Sequence, residues 1–151
     1  MRGSNEKDSI LLVEENDFIR SKINSVHKSN KDILIIPWRN GLKNTLTEIN
    51  ELNASVVLID LDLLSQSCLS VVEIVKRDLP SAKIIVVGLE KDQKNILQLV
   101  QAKVNGFILK DSSPKEIITT IKNVDGGSTI LPPLLINKFS NSRELAKKHQ
   151  H

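Results

Sequence analysis

The chain has 151 residues, 40% hydrophobic and 26% charged, enough to bury one ordinary core and too ordered in composition for a disordered protein. It carries one cysteine, Cys68, which excludes an intrachain disulfide framework and a thiolate metal site, and with three phenylalanines, one tryptophan and no tyrosine it lacks the interleaved aromatics of a base-stacking platform. The net charge of +3 is accounted for between Asn137 and His151, where Lys138, Arg143, Lys147 and Lys148 face Glu144 alone, so the body is neutral and phosphate-backbone binding by it is not expected.

In chain order, Met1 to Ser9 is polar and resembles no signal peptide, and no apolar run is long enough for a membrane span, so a cytoplasmic location is expected. Five short apolar runs follow: Ile10–Val13, Ile33–Ile36, Val56–Ile59, Ile84–Val87 and Phe107–Leu109. They are continuous and rich in β-branched residues, as strands covered on both faces are. Between and after them, apolar residues recur every three or four positions. Phe18, Ile19, Ile23 and Val26 mark a first helix, and Leu42, Leu46 and Ile49 a second. Leu69, Val72, Val75 and Leu79 mark a third, Ile96, Leu97 and Val100 a fourth, and Ile117, Ile118, Ile121 and Val124 a fifth. Pro80-Ser81 stops the third, Ser113-Pro114 opens the fifth and Gly126-Gly127 ends it.

Five βα units in succession call for an α/β fold: a doubly wound, five-stranded parallel sheet, flavodoxin-like, with expected strand order 2-1-3-4-5. Residues 9–126 form this domain in the expectation, and 127–151 a linker, short terminal helix or C-terminal tail. The fold places the ligand crevice at the carboxyl ends of strands one and three.

Polar residues gather at those ends. Glu14 and Glu15 follow strand one, Asp60 and Asp62 strand three, Gly88 and Glu90 strand four, Lys110 and Asp111 strand five. Carboxylates from Glu14, Glu15 and Asp60 converging at one crevice repel each other unless a cation compensates, and Mg²⁺ is the hard ion that takes a few carboxylates and keeps further oxygens. Lys110 is placed to reach Asp60 or a phosphoryl group on it, which makes Asp60 a candidate phosphoryl acceptor. Cys68 reads as a small residue at a helix start. Trp38 reads as packing at a turn, and His27, His149 and His151 carry no assigned chemistry.

The order Leu-Leu-Val-Glu14-Glu15, Val-Leu-Ile-Asp60, then Gly106-Phe107-Ile108-Leu109-Lys110-Asp111-Ser-Ser-Pro114 closely resembles the receiver domain of two-component response regulators, from about Ser9 to Gly126. The strand-five segment is similar to the subfamily with a C-terminal helix-turn-helix effector. The resemblance implies a non-enzymatic signalling domain in which Asp60 is the phosphoacceptor, Glu14 and Glu15 with Asp60 hold Mg²⁺, Lys110 contacts the phosphoryl group, and position 88 and Phe107 are switch residues. It implies a sensor histidine kinase as partner and a homodimer through the fourth helix, fifth strand and fifth helix. Transcription control and DNA binding would come only through an effector outside this sequence. Four features depart from the family pattern: the acidic pair is Glu-Glu, Gly88 stands where Ser or Thr is usual, Leu63-Leu64 where Met-Pro is, and Cys68 where glycine is common.

Two alternatives stand beside this reading. A degenerate pseudo-receiver would act by protein binding independent of phosphorylation. A haloacid-dehalogenase-like phosphatase would use Asp60-Leu61-Asp62 as its Asp-x-Asp nucleophile motif, although that motif normally follows the first strand and precedes the hydroxyl, lysine and acidic pair.

Overall fold

The computed structural model describes residues 8–13, 21–25, 33–37, 55–63, 67–90 and 96–131. Five parallel strands, β1 (Asp8–Val13), β2 (Ile33–Pro37), β3 (Val56–Asp60), β4 (Lys83–Leu89) and β5 (Gly106–Leu109), form one sheet in the order β2-β1-β3-β4-β5. Strand composition and order are those expected. The register sets Val13 of β1 beside Ile59 of β3, so the chain leaves β1 next to Asp60.

The central strands divide their side chains between two clusters. Val57 and Ile59 of β3, with Ile84 and Val86 of β4, pack with the Cys68–Asp78 helix through Val71, Val72 and Val75. Val56, Leu58, Ile85 and Val87 point to the opposite face and pack with Ile117, Ile121 and Val124 of the Pro114–Asp125 helix and with Ile23 of the helical segment 21–25. The continuous apolar runs of β3 and β4 are thereby explained, because both faces of these strands are covered. Burying each such aliphatic side chain contributes about 1.5–3 kcal/mol before ordering costs.

Both long helices have identifiable starts. Ser67 accepts a hydrogen bond from Ser70 N at 3.0 Å. At the later helix, Ser113 Oγ accepts from Glu116 N and Glu116 Oε1 accepts from Ser113 N, a complete capping box with Pro114 in the first turn.

Three local outcomes differ from the expectation. The fourth helix is the five-residue Leu97–Gln101, with Ile96 as its N-cap; Leu99 is buried and Leu97, expected on the inner face, is 41% exposed. A helix this short has too few turns for its period to fix its orientation. Strand β4 does not stop before Gly88 but runs through it to Leu89. Finally, the segment after Gly127 continues along the sheet edge: Ile130 forms a parallel bridge with Gly106, donating to Asn105 O at 2.9 Å and accepting from Phe107 N at 3.2 Å. The second expected helix, Glu14, Glu15, His27, Trp38 and the tail from 132 lie outside the described residues. Among the described residues no helix is long and apolar enough to cross a membrane.

Candidate functional site

Asp60 closes β3 and is 1% exposed, one of two buried polar residues in the described set. A carboxylate is desolvated here only because the strand end forces it inward, and its surroundings must offset that cost. One offset is local: Asp62 N donates to Asp60 Oδ1 at 3.0 Å, which turns the chain and fixes the plane of the carboxylate. Leu61 N donates to Val87 O at 2.9 Å and carries the β3–β4 ladder one step beyond Asp60.

Cys68, at the start of its helix, has its thiol pKa pushed up to about 12, first by burial and then by the charges of Asp60 and Asp62. Two carboxylates acting on the same buried thiol mark a locus that a hard divalent cation would neutralise. Asp60 thus fits a metal ligand, and Glu14 and Glu15, which follow directly on Val13 in sequence, lie outside the described residues. Among the described residues alone, no three acidic, cysteine or histidine side chains group as a metal site. The buried Cys68 is the helix-start residue expected from sequence.

Lys110 follows β5 immediately. Its N–H donates to Leu89 O at 2.8 Å, and its ammonium lies 3.4 Å from Glu90 Oε1, with both side chains partly exposed. The sequence placed this lysine toward Asp60 or a phosphoryl group; the structure gives it this contact with Glu90, whose solvated geometry contributes roughly 0–1 kcal/mol. Phe107, the aromatic of the same strand, is 2% exposed and packs in the cluster of the Cys68–Asp78 helix.

Gly88 sits at φ 93°, a backbone conformation suited to glycine. The β4–β5 register slips here: Val87 stands opposite Ile108, and Leu89 opposite Leu109. One extra residue is thus accommodated, a β-bulge, and it reverses the alternation. Leu89 joins Ile84 and Val86 in the first cluster, whereas strict alternation would send it to the side of Ile85 and Val87. Sequence reasoning noticed Gly88 for its missing hydroxyl and missed its backbone role, although a glycine inside an apolar strand run is a bulge signal.

Lys22, a polar residue on the helical segment 21–25 for which the sequence alone gives no role, also reaches this end of the sheet. Its ammonium donates to Lys110 O at 2.5 Å.

Comparison with known proteins agrees with this geometry. Residues 10–122 match the family model of the response regulator receiver domain. The response regulator protein VraR of Staphylococcus aureus is 24% identical over 132 residues, 87% of this chain and 63% of that protein. The chain thus spans 63% of the length of that curated relative. A LuxR-family two-component response regulator from Aurantimonas sp. SI85-9A1 superposes with a TM-score of 0.76 at 16% identity, covering 91% of this chain and 99% of that one. The isolated REC domain of RcsB from Salmonella enterica serovar Typhimurium, solved with the phosphomimetic BeF₃⁻, gives 0.73 at 15% identity over 87% of this chain and 98% of that one. Both structural likenesses speak for the fold.

Proposed function

We propose that this chain, which belongs to the response regulator receiver domain family, accepts a phosphoryl group on Asp60 and passes the change to a protein-interaction surface. Two-component signalling is the family's function, and its members receive the phosphoryl group from histidine kinases and dimerise. The observation that carries the assignment of Asp60 is its burial at the carboxyl end of β3, beside the exit of β1, with one oxygen held by Asp62 N.

In this reading a carboxylate oxygen of Asp60 attacks the phosphorus of the donor. The new O–P bond forms as the bond from phosphorus to the leaving group breaks, and the leaving group departs with that electron pair: the imidazole nitrogen of a kinase phosphohistidine, or the carboxylate of acetyl phosphate. The Asp62 N–H keeps the attacking carboxylate in one plane, which removes a rotational cost from the approach. Lys110 supplies a positive charge for the transferred group. Receiver domains bind Mg²⁺ at their acidic pocket; here Asp60 with Glu14 and Glu15 would hold it. When bound, the ion neutralises charge that builds up between carboxylate and phosphoryl oxygens.

The remaining parts of the reading follow from the family. Residues 9–126 act as the receiver and 127–151 as a linker or C-terminal tail. The kinase is a sensor histidine kinase, the domain works in the cytoplasm, and a homodimer uses the face of the Leu97–Gln101 helix, β5 and the Pro114–Asp125 helix. Transcription is controlled through a helix-turn-helix effector outside this sequence. The Asp60-Leu61-Asp62 motif does not make the chain a phosphatase, since its family is the receiver family and the motif follows the third strand.

A second reading has one observation in its favour. With Gly88 in a positive-φ bulge, no hydroxyl stands at the switch position, so output that depends on partner binding alone fits that strand end. The two readings separate in one experiment: intact mass after incubation with acetyl phosphate and Mg²⁺, repeated with EDTA and with Asp60→Asn. One added phosphoryl group, lost in both controls, supports the phosphoacceptor reading. No gain by a folded parent supports the pseudo-receiver.

A further inference from the structure

We infer that Lys22 is a positioning residue for Lys110, holding the root of the phosphoryl-contacting side chain from a separate element of the fold. The inference rests on the reading of Lys110 given above.

Lys22 lies on the helical segment 21–25, next to Ile23, which is buried in the cluster of the Pro114–Asp125 helix. A helix lysine flanked by exposed Ser21 and Asn24 would ordinarily extend its ammonium into water. Instead the half-buried side chain helps line a small crevice with Val87, Gly88, Ile108, Lys110 and Ile117, and its Nζ donates to Lys110 O across 88 residues of sequence. Fixing so long a side chain costs rotamer entropy, which a charge-assisted hydrogen bond in a partly desolvated crevice can offset.

The bond completes a clamp. On its amino side, the Lys110 residue donates its N–H to Leu89 O at 2.8 Å; on its carboxyl side, its C=O accepts from Lys22. The Cα of Lys110 is therefore held between β4 and the helical segment 21–25, and the direction in which its side chain starts is set by both. Gly88 belongs to the same arrangement, since it lines the same crevice as Lys22. The ammonium of Lys22 also acts on Glu116, adding to the Ser113 hydrogen bonds that hold that carboxyl below its ordinary range.

The test compares the parent with Lys22→Met, which keeps the apolar stem and removes the donor, and with Lys22→Arg, which keeps a donor and the charge. Initial rates of phosphoryl gain from acetyl phosphate with Mg²⁺ are read by intact mass, alongside Mg²⁺ affinity, the thermal midpoint and the backbone amide resonance of Asp111, whose peptide bond contains Lys110 O. The rate is expected to fall roughly tenfold in Lys22→Met, about the lower end of the worth of one charge-assisted hydrogen bond, with Mg²⁺ affinity unchanged. Lys22→Arg should return it to within about twofold of the parent, and the Asp111 amide should shift in the Met variant. A Met variant that gains phosphoryl at the parent's rate overturns the inference, as does a rate that falls only in proportion to the folded fraction. A folded parent that gains no phosphoryl group overturns the reading of Asp60 and the positioning role together, and the Asp111 resonance then reports on the clamp by itself.

Discussion

Phe107 donates its backbone N–H to Ile130 O at 3.2 Å, and Ile130 returns a hydrogen bond to Asn105 O at 2.9 Å, so the chain beyond the last helix is stitched to the strand that carries Phe107. Ile130 packs against the cluster of Val56, Ile85 and Ile108, and Leu131 against the cluster of Phe107. A parallel edge strand such as β5 otherwise presents an unpaired row of backbone groups, and this bridge covers part of that edge. Ile130→Pro removes the donor to Asn105 and is expected to loosen the segment, at a cost of roughly 1–2 kcal/mol. Hydrogen exchange at the Phe107 amide should rise markedly in the variant, while amides of β3 remain protected.

Gly88 gives a second expectation. Restoring the hydroxyl that receivers usually carry at this position should not simply repair the switch, because the backbone there is at φ 93° and disfavours a Cβ. Gly88→Ala and Gly88→Thr are each expected to lose about 1–2 kcal/mol of stability, measured by urea unfolding. Should Gly88→Thr prove neutral, the bulge would be shown to relax into a regular strand, and Leu89 would then have to change faces.

Much of this was legible in the chain itself, and the failures share a cause. Runs such as Val56–Ile59 declare a strand buried on both sides, and Ser113-Pro114 with Glu116 declares a helix start, because each signal lies within a few consecutive residues. Asp60 could be found for the same reason, as a carboxylate at the end of such a run. Leu97 was misplaced because a five-residue helix takes its orientation from its neighbours and not from its own period. Lys22 and Ile130 escaped notice because a polar helix residue and a short apolar segment near prolines acquire their roles only from partners distant in sequence, at Lys110 and Gly106.

The start of the last helix carries a pH dependence with a definite sign. Hydrogen bonds from Ser113 hold the Glu116 carboxyl below the usual carboxylate range. A carboxyl whose folded-state pKa is depressed contributes stability above its unfolded pKa and loses it as pH falls through the folded value. Unfolding midpoints followed from about pH 6 to about pH 3 should therefore decline less steeply in Glu116→Gln than in the parent. Ser113→Ala, which removes the cap, should cost about 1 kcal/mol at neutral pH.

The central claim is that Asp60, and no other carboxylate, takes the phosphoryl group. The direct measurement is borohydride reduction of the protein after acetyl phosphate and Mg²⁺, which converts an aspartyl phosphate to homoserine, followed by peptide mass spectrometry. Homoserine at position 60 in the parent, and its absence in Asp60→Asn, is the expected result. Homoserine at position 62, or a folded parent that yields none, would contradict it.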